Sequence, residues 1–171
     1  MLAGGRSSRF GSDKALAKIG GETLLERGVR VMSYCCDHVV VVGRKVAPAP
    51  SLPDWPGPDA GPLGGIAAAL GHASKHGYAT VLTIGVDTIG LPDDFAEALT
   101  PAPAYLEGLP VVGHWPVWCV DGVQSILRGP GKHSMRAFAA AIGARPVNFT
   151  RQPANINTPA DLAAAELLHG L

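Results

Sequence analysis

Hydrophobic and polar positions run through this chain in two rhythms, and the switches between them delimit its elements. From Glu22 to Tyr34, Leu25, Val29 and Met32 recur at spacings of four and three, with Cys36 four further on, which is one face of a helix. His38 to Gly43 contains four consecutive valines, a β-branched run typical of a strand buried on both sides in a parallel sheet. Residues 44 to 62 hold Pro48, Pro50, Pro53, Pro56, Pro58 and Pro62, which rules out a helix or central strand and predicts a long surface loop. Helical spacing returns in Leu63 to Lys75 through Leu63, Ile66, Ala67 and Leu70, where Gly64, Gly65 and Gly71 weaken helix preference but permit close packing. Thr80 to Val86 reads as a second buried strand ending at Asp87, and Pro92 to Leu99 as a short helix with Pro92 in its first turn.

The second half is less regular. Leu109 to Val120 is an apolar run broken by Pro110, Gly113 and Pro116, predicting bent strands. Ser134 caps a helix whose Met135, Phe138, Ala139 and Ile142 share a face, Arg145 to Phe149 is a last strand, and Thr158, Pro159 and Asp161 start a helix that turns Leu162, Ala165 and Leu168 inward. Alternating strands and helices imply an α/β fold: an open, mostly parallel sheet with right-handed crossovers and flanking helices, plus a small bent-strand region in the C-terminal half. Neither side of the Pro-rich stretch is long enough for its own core, so residues 1–171 form a single domain.

Composition narrows the function classes. Apolar residues make up 47% and charged residues 16%, which suits a packed enzyme and argues against a disordered chain. The 14 basic side chains balance 14 acidic ones, so no bulk field gathers nucleic acid or an anionic membrane, and any phosphate binding is local. An odd count of three cysteines, with Cys35 and Cys36 adjacent, fits a reduced, cytoplasmic protein better than a disulfide framework or zinc knuckle. No apolar run approaches the roughly 20 residues of a membrane span, and no signal peptide precedes the first loop.

That loop carries the first chemistry. Residues 2 to 14 read Leu-Ala-Gly-Gly-Arg-Ser-Ser-Arg-Phe-Gly-Ser-Asp-Lys, a glycine-rich turn with hydroxyls, arginines and a closing lysine. Gly4 and Gly5 let successive N–H groups turn toward one anion, while Arg9 offers a planar fork and Lys14 a point charge for phosphate oxygens. The spacing is neither that of a P-loop nor that of the dinucleotide-binding fold. A loop of this kind usually follows a buried strand, yet only Met1 and Leu2 come before Ala3, so the first strand is very short or residues precede Met1 in the native chain. Asp87, ending a buried strand, should point into the crevice beyond the strand ends, where a hard carboxylate suits Mg²⁺ held jointly with substrate phosphates.

Leu2, Ala3, Gly4, Gly5, Ser7, Arg9, Phe10, Gly11, Asp13 and Lys14 match in register a signature of the molybdenum cofactor guanylyltransferase (MobA) family of nucleotidyltransferases, which this sequence resembles. The likeness runs from Leu2 to about Glu166. Val86-Asp87-Thr88-Ile89-Gly90 stands where the family has Cys-Asp-x-Pro and an apolar residue; the acid is kept, but Ile89 replaces Pro. Asn155-Ile156-Asn157-Thr158-Pro159 is similar to the family's Asn-x-Asn-Thr-Pro, and Gly61-Pro62-Leu63-Gly64-Gly65 to its Gly-Pro-Leu-Ala-Gly. Counting back from the latter, Asp54 falls at a nucleotide-contacting Asp, with Asp59 the nearer acid, and the choice between them stays open. Leu109 sits where the family usually has His, and His114 lies five residues on.

The resemblance implies a glycosyltransferase-A-like nucleotidyltransferase that moves GMP from Mg-GTP to the terminal phosphate of Mo-molybdopterin. Its catalytic residues would be Lys14, Arg9 and Asp87, with Asp87 on the metal. Leu2, Ala3, Gly4, Gly5, Ser7, Lys14, Asp54, Asp59 and Asp87 would bind nucleotide, and Asn155 and Asn157 the substrate. Molybdoenzyme-specific chaperones or apo-enzymes would be its partners. Gly4 favours GTP, since relatives that use CTP commonly carry Ala there. The alternatives are a CTP or sugar-phosphate nucleotidyltransferase, and a nucleotide-binding accessory protein without activity. Lys18, Arg44, Arg128 and Lys132 are further candidate phosphate contacts.

Overall fold

A computed structural model describes residues 1–5, 10–131 and 133–168. The chain begins inside the sheet. After the first turn, a 3-10 segment Lys14–Leu16 leads into a hairpin of β1 (Lys18–Ile19) and β2 (Glu22–Thr23). Thr23 then caps α1 (Leu24–Ser33): its Oγ1 accepts from Glu26 N at 3.1 Å while Thr23 N donates to Glu26 Oε2 at 2.9 Å, a reciprocal pair that satisfies two otherwise orphaned donors. Next come β3 (Val41–Val42), β4 (Ser51–Leu52), α2 (Gly61–Lys75), β5 (Thr80–Thr83), β6 (Thr88–Ile89), α3 (Phe95–Ala98), β7 (Ala104–Leu106), β8 (Gly113–Pro116), α4 (Val120–Arg128), α5 (Met135–Ala141), β9 (Arg145–Val147), β10 (Ala154–Asn155) and α6 (Pro159–Leu168).

Main-chain bonds join these short strands into a mixed sheet. Leu2 bridges in parallel to Val42 on one side and Gly85 on the other, with Leu2 N donating to Ile84 O, Val86 N to Leu2 O and Ala3 N to Val42 O at 2.8 to 2.9 Å. Laterally the order is β4, β3, the Leu2 segment, β5, β8, β7, β9. Only β8 runs against its neighbours in this order, being antiparallel to both β5 and β7, whereas β7 and β9 are parallel. A separate antiparallel ribbon pairs β6 with β10.

Side chains alternate between two cores, one on each face. Val41, Ile84, Ala104 and Leu106 join Leu24, Leu25 and Met32 of α1 with Phe95 of α3 and Ala165 of α6. Leu2, Val42 and Trp115 join Leu63, Ile66 and Leu70 of α2 with Val123, Leu127 and Phe138 of α4 and α5. Helices thus cover both faces, as the βα alternation predicts.

Three local departures have physical reasons. The Pro-rich loop contains β4, an edge strand parallel to β3, because Pro50 serves the ladder only as an acceptor, from Val41 N at 2.9 Å. The predicted bent strands shrink to β8, and Val117 onward winds into a 3-10 turn and then α4, whose Val123 and Leu127 are buried on α2's side of the sheet. The helix expected from Pro92 begins only at Phe95. The three cysteines are free thiols, and among the described residues no helix is long and apolar enough to cross a membrane.

Candidate active site

A cleft of 680 Å³ opens where the first chain segment and β5 end. Leu2, Ala3, Gly4 and Gly5 form one wall, Lys14 the floor of the first turn, Asp54, Asp59, Gly61, Pro62 and Gly65 the α2 side, and Asp87, Asn155 and Asn157 the opposite side. Ten of the residues expected from the sequence to bind nucleotide, metal or substrate line this one space. The other two, Ser7 and Arg9, lie outside the described residues, as does Lys132.

Each position is built locally. Gly85 precedes Asp87 by two, and a Cβ there would sit 2.5 Å from Asp87 Oδ1, so only glycine lets the carboxylate fold back over the strand end. Asp87 Oδ2 accepts from Lys14 Nζ at 2.6 Å. With the Asn155 amide oriented to satisfy its neighbours, Nδ2 lies 3.0 Å from both Asp87 oxygens and Oδ1 accepts from Asn157 Nδ2 at 3.3 Å. Between the two asparagines Ile156 is buried and its N–H donates to Asp87 O at 2.9 Å. Strand alternation therefore brings both flanking amides to the cleft. Asp161 secures the segment by accepting from Asn157 N at 2.9 Å and Thr158 N at 2.8 Å, bonds that hold its carboxyl below the usual range.

At the family's Pro position, Ile89 is buried in the core and pairs with Ala154 in the β6–β10 ribbon, so the changed residue anchors the segment behind Asp87. The acid choice also gains geometry. Both Asp54 and Asp59 face the cleft, but Asp54 packs on the glycine turn: a Cβ at Gly4 would lie 3.1 Å from Asp54 Oδ2. Burial, then the charge of Asp59, pushes the Asp54 carboxyl up.

Several basic or polar candidates are elsewhere. His114, on β8, lines a separate cavity at the other end of the strands with Met1, Val40 and Thr80, and burial lowers its pKa; Leu109 is the one that reaches the site. The guanidinium of Arg128 lies over the Trp55 ring at 4.9 Å, Arg44 is paired with Asp13, and Lys18 is exposed on β1. Sequence reasoning did not anticipate Pro110, Val111 and Met135 in the wall, whose only signal was apolar character, which core residues share; Leu109 carried the further signal of standing at the family's His position.

A hard carboxylate flanked by amides and an ammonium, facing a glycine turn, fits a Mg²⁺ that takes one or two protein carboxylates. No group of three metal-ligating side chains occurs among the described residues, so phosphate oxygens and water would complete its shell.

An α/β sheet that brings a glycine turn and a strand-end acid to one cleft is the arrangement the sequence resemblance implies. Comparison with known proteins agrees: residues 1–147 match the MobA-like NTP transferase domain, and the chain belongs to that family. The molybdenum cofactor guanylyltransferase of Acidiphilium cryptum (strain JF-5) is 38% identical over 183 residues, spanning 97% of this chain and 92% of that protein. The enzyme of the same name from Rhizobium johnstonii is 35% identical over 188 residues, spanning 97% and 90%. The fold is shared with molybdopterin-guanine dinucleotide biosynthesis protein A from Archaeoglobus fulgidus, with TM-score 0.77, 20% identity and coverage of 99% and 96%. It is shared too with 2-C-methyl-D-erythritol 4-phosphate cytidylyltransferase from Thermus thermophilus, with TM-score 0.70, 18% identity and coverage of 99% and 97%.

Proposed function

We propose that this chain transfers GMP from Mg-GTP to the terminal phosphate of Mo-molybdopterin, forming the guanine dinucleotide of the cofactor and pyrophosphate. The convergence of the Gly4–Gly5 turn, Lys14 and Asp87 on one cleft carries the reading. A phosphate oxygen of the acceptor attacks the α-phosphorus of GTP, the bond from that phosphorus to the bridging oxygen breaks, and pyrophosphate departs with the electron pair. The attacking oxygen is already an anion, so no general base is required, and catalysis is alignment plus charge neutralisation. Lys14, and Arg9 by its place in the motif, bind the polyphosphate; the backbone of residues 3–5 approaches the nucleotide; Asp54, beside Gly4, accepts from the ring N–H and exocyclic amine of guanine. Asp87 would hold Mg²⁺, which supplies neutralisation of the phosphate charge. Asn155, itself held by the Asn157 amide, orients Asp87, and both asparagines meet the acceptor. The product would pass to apo-enzymes or their chaperones in the cytoplasm.

Pyrophosphate release with GTP, Mg²⁺ and loaded molybdopterin tests this. Turnover is expected with wild type and should fall about 100-fold or more in Asp87→Asn, as for loss of one preorganised electrostatic group. Preference for CTP would overturn the base assignment, and GTP binding without pyrophosphate release would establish an accessory protein instead.

A further inference from the structure

We infer that Arg44 is a positioning residue for the nucleotide, holding Asp13, and through it the turn that carries Lys14, in the posture that meets phosphate. This rests on the nucleotide-transfer reading above and adds to it a side chain outside the cleft wall.

Arg44 grows from a rigid base. Gly43, at the end of β3, donates its N–H to Leu52 O at 2.9 Å, and its φ of 88° brings it so near the glycine turn that a Cβ would lie 2.6 Å from Gly4 Cα. From there the Arg44 fork closes on Asp13 with both ends, Nη1 to Oδ1 at 3.0 Å and Nη2 to Oδ2 at 2.6 Å. Asp13 Oδ1 also accepts from Ala15 N at 3.2 Å, capping the Lys14–Leu16 turn, which Ala17 N closes by donating to Lys14 O at 3.1 Å. One carboxylate oxygen thus couples a sheet-anchored cation to the Ala15 N–H of the turn from which Lys14 extends.

The pair is poorly explained as a stabilising device. Its side chains are 19% and 42% exposed, a setting in which ion pairs add little to stability. Arg44 Nε is meanwhile buried with no hydrogen-bond partner among the described residues, a cost the fold retains. Placement does explain it, because the planar fork constrains the carboxylate in direction as well as distance, which a lysine would not do. A shift of about 1 Å in a substrate-positioning group is enough to lower rate by roughly 100-fold. The Arg44 guanidinium holds the Asp13 carboxyl below the usual carboxylate range, so the clamp stays closed at neutral pH.

The test compares the full chain as wild type, Arg44→Ala, Arg44→Lys, Asp13→Ala and the Arg44→Ala/Asp13→Ala double variant. Two readouts are used: Mg-GTP affinity by calorimetry, and amide hydrogen exchange at Ala15 and Ala17 without nucleotide. Either alanine variant should weaken GTP about tenfold and speed exchange of these amides by a similar factor, with Val41 and Val42 unaffected. The double variant should lose no more than Asp13→Ala alone, and Arg44→Lys should recover only part of the loss. A loss on removing Arg44 that persists when Asp13 is already absent would mean direct phosphate contact and overturn the inference. So would unchanged exchange at Ala15 in Arg44→Ala. If wild type bound no GTP, the proposed function would fail and the exchange arm alone would decide the clamp. If wild type bound GTP and Arg44→Ala matched it in both readouts, the clamp would fail and the proposed function stand.

Discussion

Gly4 and Asp54 show how much a single missing Cβ can decide. At Gly4 a methyl would press on Asp54 Oδ2 at 3.1 Å but meet Gly43 Cα at an ordinary contact distance of 3.5 Å, enough to shift a flexible carboxylate while leaving the fold intact. Gly4→Ala should therefore cut the preference for GTP over CTP about tenfold, the scale of one perturbed charge-assisted hydrogen bond, with folding unchanged; competition between labelled nucleotides measures it, and an unaltered ratio would remove Asp54 from base reading. Asp54 also makes a stability statement. Burial and Asp59 raise its folded pKa above the unfolded value, so its contribution is best at low pH and turns unfavourable as pH rises through the folded pKa. Asp54→Asn should thus melt higher than wild type at pH 7, with the gap closing as the solution is acidified into the carboxylate range, while GTP binding weakens. The motif residues Gly4, Lys14, Asp87, Asn155 and Asn157 were legible in the sequence because each has a distinctive type and spacing. Which of Asp54 and Asp59 packs on Gly4 was not, because six prolines and the turns they impose decide it.

Among the elements, β8 is paired with β5 and β7 and is braced by one buried indole. Trp115 Nε1 donates to Thr83 Oγ1 at 2.8 Å, Thr83 Oγ1 donates to Val111 O at 2.7 Å, and the ring occupies the space a side chain at Gly113 would need. The indole thereby ties β5 to the segment that brings Pro110 and Val111 to the cleft. Trp115→Phe should cost about 2–3 kcal/mol, combining a lost hydrogen bond with unfilled volume. Urea unfolding should show a lower midpoint at unchanged slope, and a cost below about 1 kcal/mol would show that the indole bond adds nothing. Elements with a clean period, α1, α2 and α5, were visible in the chain. α4 was hidden because its Val120 and Val123 continue a β-branched, aromatic run that local preference reads as strand; burial in the core beside α2 overrides that preference.

For the whole molecule, one cleft draws on the first segment, the Lys14 turn, the start of α2, the end of β5 and the β6–β10 ribbon. A ligand touching all of them stabilises the global fold rather than one loop, by about 2.7 kcal/mol at 100 times its dissociation constant. Mg-GTP should raise the melting temperature of wild type; in Asp87→Asn the shift should lose its dependence on Mg²⁺. A melting shift in that variant still driven by Mg²⁺ would take the metal away from Asp87. The mixed sheet shows the same dependence on the whole: parallel pairing around Leu2 was foreseeable from the valine run, whereas the antiparallel insertion of β8 between β5 and β7 was not, since Gly113–Pro116 carries no mark of strand direction.

What the sequence determined by itself was chemical type and local rhythm: a glycine turn with a lysine, an acid at a strand end, paired asparagines, and helices with apolar stripes. These follow from side-chain chemistry and from periods of two and 3.6 residues, which act between near neighbours. Only the tertiary structure decided that Lys14 would meet Asp87, 73 residues away, that Asp54 would pack on Gly4, and that Arg44 would grip Asp13. Such contacts depend on how strands are ordered and layers packed, a balance of burial over the entire chain that no short stretch encodes.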